Sequence, residues 1–133
     1  MNHFVTKEIT IFYPYGDEVP YELLEASGAD PQRLTALHEE PFIRVAKRED
    51  DVIGVYLLSR LDQATFQVDA LGVEPTFRKR GLGSWLVGHA IGVAESKGGR
   101  HVVLPRARYR GQLFARLGFE VRDNRWDLEI TPE

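Results

Sequence analysis

Val73-Glu74-Pro75-Thr76-Phe77-Arg78-Lys79-Arg80-Gly81-Leu82-Gly83-Ser84 is the stretch on which the reading of this chain turns. It has the order strand end, proline stop, basic glycine-bearing turn, helix start. Pro75 has no N–H to give a ladder and its φ is fixed, so strand pairing should end there. Gly81 and Gly83 lack Cβ atoms and let a ligand approach the backbone. The N–H groups of the turn and of the helix N-terminus then converge on an anion, with the positive end of the helix dipole behind them. Arg78, Lys79 and Arg80 add cationic charge at the same place. The stretch therefore reads as a cradle for a polyphosphate.

Other phosphate motifs fit less well. A P-loop needs Gly-x-x-x-x-Gly-Lys-Ser/Thr, which the chain does not contain. A dinucleotide fingerprint needs a third glycine where Leu86 stands, a leading βαβ unit and a suitably placed acidic residue. What remains is Arg-x-x-Gly-x-Gly preceded by Leu71-Gly72-Val73-Glu74-Pro75. With the strand before it and the helix after it, this resembles the acyl-CoA-binding motif of the GNAT superfamily of N-acyltransferases. A basic turn capping the helix of an unrelated α/β domain is the alternative, and it predicts no CoA affinity.

Working outward, the helix that follows has Leu82, Trp85, Leu86, His89, Ala90, Val93 and Ala94 at helical spacing, and Gly98-Gly99 stops it. Before the cradle, residues 64–73 read as a strand. Residues 42–47 and 52–58 read as a hairpin around the polar turn Arg48-Glu49-Asp50-Asp51. Nearer the start, residues 8–13 read as a strand and 19–27 as a helix with Pro20 in its first turn. Asp30 and Pro31 open a second helix running to His38. After the long helix come a buried strand over 100–104, a helix over 109–117 ended by Gly118, and a last hairpin. That hairpin joins 119–121 to 126–130 through Asp123-Asn124.

One mixed, mostly antiparallel sheet of six to seven strands with helices on both faces accommodates this order. The fold class is α/β (α+β), and the order is that of the GNAT fold. In that fold the fourth and fifth strands splay apart. Leu113-Phe114-Ala115-Arg116-Leu117-Gly118-Phe119 resembles the helix-to-strand signature near the family's C-terminus. Pro20-Tyr21-Glu22-Leu23-Leu24 with Ala29-Asp30-Pro31 is similar to the opening of a group of small bacterial acetyltransferases of unassigned substrate.

A chain of 133 residues, 43% hydrophobic and 28% charged, suits a single domain, 1–133. With no cysteine, thiolate catalysis and cysteine-ligated metals are excluded. His3, His38, His89 and His101 show no ligand spacing, so no metal is expected. The formal charge of −3 argues against a general nucleic-acid binder, and no run is long and apolar enough for a membrane span. A soluble cytoplasmic protein is the expectation. Arginines nevertheless crowd the last third: Arg100, Arg106, Arg108, Arg110, Arg116, Arg122 and Arg125. They form a solvated face, or some of them meet CoA phosphates or an acidic group on the substrate.

The resemblance implies acetyl-CoA as cosubstrate and an amine as acceptor, meeting in a ternary complex without a covalent enzyme intermediate. It implies that the pantetheine arm pairs with the backbone of Leu71, Gly72 and Val73, and that the pyrophosphate meets the N–H groups of Lys79, Arg80, Gly81, Leu82, Gly83 and Ser84 beside Arg78. The chemistry then sets three tasks. Deprotonating a lysine-like ammonium of pKa ~10.4 at pH 7.4 costs roughly 4 kcal/mol, so a base helps. The developing oxyanion needs a donor, for which a backbone N–H near Leu71 to Val73 is available. The thiolate must leave, which is only about 2 kcal/mol uphill for a thiol of pKa ~8.5 at pH 7.

Family members often carry a carboxylate base on the strand that ends at the cradle. Gln67 and Asp69 share one face of that strand by alternation, and only Asp69 can be a base. Glu22 and Glu25 on the first helix are the second candidates. Many members place an acidic tyrosine where this chain has Phe114, which has no proton to give and stays beside the cofactor. Tyr109 is the substitute, although positions i and i+5 share a helix face poorly. His89 reads as a core histidine with a hydrogen bond, and Trp85 as core. Glu18, Glu22 and Glu25 hint at a cationic amine. Homodimer formation is an expectation carried by the family alone. A catalytically silent CoA-binding module is the rival reading, favoured by Phe114.

Overall fold

A computed structural model describes residues 9–14, 18–30, 42–78, 81–106, 108–109 and 112–131. The predicted helix over 31–38 lies outside them, as do Lys79 and Arg80 of the cradle. The strands are β1 (Ile9–Phe12), β2 (Ile43–Arg48), β3 (Asp51–Arg60), β4 (Thr65–Val73), β5 (His101–Pro105), β6 (Glu120–Arg122) and β7 (Arg125–Glu129). The helices are α1 (Tyr21–Ala26), α2 (Leu82–Ser96) and α3 (Leu113–Arg116). The strands form one sheet in the order β1-β2-β3-β4-β5-β7-β6. Only β4 and β5 pair in parallel, as the crossover through α2 requires; every other neighbouring pair is antiparallel.

The sheet buries both faces. On one, Leu82, Leu86, Val87, Ala90 and Ala94 of α2 pack on Ala46, Tyr56, Leu58, Phe66, Val68, Val102 and Leu104. On the other, Leu23 and Leu24 of α1 pack on Ile43, Val45, Val55, Leu57 and Ala70. Val87 is a core residue that the helical stripe omitted. The Asp123-Asn124 turn has positive φ at both residues (52° and 62°), the geometry of a two-residue hairpin loop, and Arg122 and Arg125 face each other across it.

Two local expectations change. The helix over 109–117 is a single turn, Leu113–Arg116. Tyr109 stands before it in a turn closed onto Pro105, with its N–H donating to the Pro105 carbonyl at 3.1 Å. Its own carbonyl accepts from the Trp126 indole N–H at 2.7 Å, so a contact with β7 takes the group that a longer helix would use. The first helix spans only Tyr21–Ala26, with Pro20 at the cap rather than inside the first turn.

The alternation of β4 also breaks. Opposite Leu57 and Leu58 of β3, strand β4 places Val68, Asp69 and Ala70, so Asp69 is an extra, bulged residue. Phe66 and Val68 face α2; beyond the bulge Ala70 faces α1, and Leu71 and Val73 turn toward the α2 side. A bulge bends its strand and sharpens the twist. The parallel pairing of β4 with β5 covers only Thr65↔His101, Phe66↔Val102 and Gln67↔Val103. From Val68 onward the two strands part, which is the expected splay.

Candidate functional site

The split between β4 and β5 has the phosphate cradle at one end and the bulge at the other. Beside the cradle end of β4, a cavity of about 280 Å³ is lined by Leu71, Gly72, Val73 and Arg78 from the β4 side and by Leu23, Ala26 and Ser27 from α1 and its C-cap. The three backbone positions expected to meet a pantetheine arm therefore share one cavity. Gly72 is required there by close approach: a Cβ on it would lie 2.8 Å from Leu23 Cγ and 3.1 Å from the Leu23 carbonyl oxygen. The glycine thus lets α1 lie directly on β4 and form the cavity's second wall. Arg78 folds back so that its Nε donates to the Val73 carbonyl at 3.1 Å, fixing its cationic head beside the strand end.

On either side of residues 79 and 80, the described residues follow the order strand end, proline turn and helix start. A short 3₁₀ turn, Pro75–Phe77, follows β4. Gly81 stands at the cap of α2 with φ 88°, a left-handed conformation that favours glycine. Among the described residues no side chain caps this end of the fifteen-residue helix, and its first turn has no acidic residue. Its leading N–H groups therefore keep their capacity for an external acceptor. A Cβ built on Gly83 meets nothing within 4 Å among the described residues, so there is open space over that part of the turn. An uncapped helix start, open space and a positive dipole end together fit a pyrophosphate.

At the bulge, the Asp69 carboxylate accepts a hydrogen bond from the Gln67 side-chain amide at 2.6 Å. The shared face read from alternation is thus real, and Gln67, which cannot be a base, orients the residue that can. Arg108 reaches across the split and donates from Nη1 to the Asp69 carbonyl at 3.0 Å. Tyr109 is only 9% exposed. Its hydroxyl is buried with no hydrogen-bond partner among the described residues. Its pKa is pushed up to about 12, chiefly by burial; the Arg108 charge and a hydrogen-bonding approach by Arg108 oppose the rise, and the Asp69 charge adds to it. Arg108 thus approaches the hydroxyl as a polar partner, at a geometry looser than a well-formed hydrogen bond. The sequence-predicted pair, Asp69 and Tyr109, is therefore brought within electrostatic reach at one end of the split.

Phe114 is 3% exposed and sits in an aromatic cluster, with ring centroids 5.8 Å from Tyr109, 5.8 Å from Phe119 and 5.9 Å from Trp126. It is not among the residues lining the cavity. Because Tyr109 precedes α3 instead of belonging to it, helix spacing does not keep the two rings apart. Glu22 and Glu25 are exposed on α1, and α1 lines the cavity through other residues. Glu18 precedes α1 and is held by Lys47 at 2.6 Å. His89 has the anticipated hydrogen bond, Nδ1 to the Tyr56 hydroxyl at 2.7 Å, and its pKa is lowered by burial first and by the Arg44 charge second. Among the described residues no group of three or more His, Asp or Glu side chains is placed to hold a metal, and no helix is long and apolar enough to cross a membrane.

The model of the acetyltransferase (GNAT) family matches residues 4–119. The chain belongs to the GNAT acetyltransferase family. Acyl transfer is thereby its class of reaction. Among solved structures, a GNAT family acetyltransferase from Elizabethkingia anophelis with acetyl-CoA bound is similar over 92% of this chain and 99% of its own, at 19% identity and a TM-score of 0.74. The IAA acetyltransferase from Bacillus cereus is similar over 92% and 99%, at 18% identity and a TM-score of 0.76. A Bacillus subtilis acetyltransferase in complex with CoA is similar over 93% and 99%, at 20% identity and a TM-score of 0.73. At these identities the likeness is one of fold, and this GNAT domain shares it over nearly the whole of each relative. Sequence reading placed Gln67 on the face of Asp69 without giving it an orienting role, and named Arg108 only as one of the arginine run.

Proposed function

We propose that the protein transfers an acetyl group from acetyl-CoA directly to a primary amine in a ternary complex. The observation that carries this reading is the buried Tyr109 hydroxyl, without a well-formed hydrogen bond, set near Asp69 where β4 and β5 part. A buried hydroxyl without a partner is destabilising, and such groups call for an explanation. A silent CoA-binding module supplies none; a site that hydrogen-bonds a reacting group does. The acetyl-CoA and CoA bound to two of the similar structures support the choice of donor.

In this reading the N–H groups at the start of α2 hold the pyrophosphate and the 280 Å³ cavity holds the pantetheine arm. The thioester then lies toward the bulge. Asp69, oriented by Gln67, takes the ammonium proton directly or through water. A backbone N–H freed by the parting of the strands faces the developing oxyanion. Tyr109 works as a hydrogen-bond donor and not as a full acid. A phenol of pKa about 12 is a weaker acid than a thiol of pKa ~8.5, so complete proton transfer to the thiolate would be roughly 5 kcal/mol uphill. Donating a hydrogen bond to the departing sulfur requires no such transfer.

Calorimetric titration with acetyl-CoA and CoA tests the site. Gly83→Glu places a carboxylate in the open space of the cradle without a steric clash, so the variant should fold and lose binding. Free-thiol release on adding amines then tests transfer. Tight binding with no thiol release for any amine would establish the silent module instead. No binding by the folded wild type would overturn both.

A further inference from the structure

We propose that Arg108 anchors a carboxylate on the acceptor, so that the amine is acetylated as part of a zwitterion of the α-amino acid type. This rests on the transferase reading above and names its substrate class. The backbone of Arg108 is set by a turn on Pro105, its N–H donating to the Pro105 carbonyl at 3.3 Å. From there the side chain crosses the split and is held on two sides. Nη1 donates to the Asp69 carbonyl at 3.0 Å. Its Nε, Cδ and Cζ lie over Gly28, at 3.1, 3.4 and 3.4 Å from where a Cβ would stand. Gly28 closes α1 at φ 86°, a conformation that itself favours glycine, so the Arg108 side chain packs against bare backbone there. A guanidinium has five N–H donors in a fixed fork. One is used on Asp69 and one approaches the Tyr109 hydroxyl, and the exposed side of the group keeps the others for a planar acceptor, for which a carboxylate is the match.

The charges around it narrow the choice. A purely cationic amine approaching Asp69 must come close to the Arg108 cation, which repels it. A carboxylate on the same molecule turns that repulsion into attraction. An α-amino acid presents ammonium and carboxylate on one carbon, and here a carboxylate side chain and a guanidinium meet at one residue of β4. Charge in the adjoining cavity is positive and not acidic. Glu18 is paired with Lys47, and the charged residue lining the cavity is Arg78.

The test compares matched pairs on the acetyl-CoA-loaded protein: L-phenylalanine with phenethylamine, L-histidine with histamine, L-arginine with agmatine, L-lysine with cadaverine. Free-thiol release gives kcat/KM, and calorimetry on the CoA complex gives binding without turnover. The expected result is a preference of roughly 10- to 100-fold for the amino acid in at least one pair, the size of a lost charge-assisted contact. Arg108→Gln should collapse that ratio toward one, mainly through KM, and Arg108→Lys should restore part of it. Equal use of both members of every pair by the wild type would overturn the proposal, as would an Arg108→Gln variant that keeps the preference. If thiol is released with no compound while acetyl-CoA binds, the transferase reading fails on its own. Calorimetry then decides: amino-acid binding lost in Arg108→Gln supports the carboxylate site, and no amino-acid binding refutes it.

Discussion

Replacing Tyr109 by phenylalanine should make the protein more stable and a poorer catalyst. The substitution removes one oxygen and keeps the ring, so the edge-on contact with Phe114 at 5.8 Å survives. The oxygen removed is buried and lacks a well-formed hydrogen bond, Arg108 approaching it only loosely; a fully unsatisfied group costs about 1–3 kcal/mol. The variant should regain part of that. At this chain length each kcal/mol corresponds to about 4 °C in Tm, so a rise of several degrees is expected in calorimetry. The alkaline limb gives a second readout. The folded-state pKa of about 12 stands above the ordinary 10.0, so the stabilisation of the neutral phenol is complete below pH 10 and is lost as pH rises to 12. Two pKa units amount to roughly 3 kcal/mol, by which the wild type should weaken more than the variant over that interval in urea unfolding. Tyr56, whose pKa burial also raises, titrates in both proteins and cancels in the comparison. With acetyl-CoA binding unchanged, kcat should fall roughly 10- to 100-fold, the loss of one transition-state hydrogen bond. A lower Tm in Tyr109→Phe would refute the reasoning about stability, because it would mean that the hydroxyl is already satisfied. An unchanged kcat would refute its part in the chemistry.

Three further outcomes follow from the same geometry. Asp69→Asn keeps an acceptor for the Gln67 amide and should leave acetyl-CoA affinity intact while lowering kcat/KM about 10²- to 10⁴-fold in the thiol-release assay; a smaller loss would exclude Asp69 as the base. Gly72→Val must push α1 off β4, since its Cβ starts 2.8 Å from Leu23 Cγ, and should destabilise the fold by about 1–3 kcal/mol in denaturant while weakening acetyl-CoA binding; unchanged values for both would place α1 elsewhere. His89, with its pKa lowered by burial, should titrate below 6.5 by NMR, and its contribution to stability should hold above pH 6.5 and decline as pH falls; a midpoint at or above 6.5 would contradict its buried bond to Tyr56.

Where an element is specified by neighbours in sequence, the chain could be read directly. The cradle is one: strand end, Pro75, Gly81 and helix start are consecutive, and each acts through its own backbone. The Asp123-Asn124 hairpin is another, because positive φ at two successive residues is a property of those residues. Tyr109 could be named as a candidate from the sequence, but its surroundings could not be read. Its position depends on the Trp126 indole seventeen residues later, and no local pattern announces that contact. The arginine run could be read only as a set. Arg122 is tied to Glu120 at 2.8 Å, whereas Arg108 crosses to β4, and tertiary structure alone makes that distinction.

The bulge at Asp69 is the instructive intermediate case, because the sequence carried its signature. Apolar residues occupy 66 and 68, then 71 and 73, so the spacing along β4 changes from two to three and back to two. A strict strand would have sent Leu71 and Val73 to the face opposite Phe66 and Val68. With one extra residue they return to the α2 side, and Gly72 is left toward α1, where only a glycine fits. The same extra residue twists β4 away from β5 just after their last pair, Gln67↔Val103. One phase shift in the apolar pattern therefore accounts for the placement of the carboxylate, the opening of the split and the seating of α1. A single-residue deletion here would undo all three together, whereas a substitution at Asp69 would remove only the first.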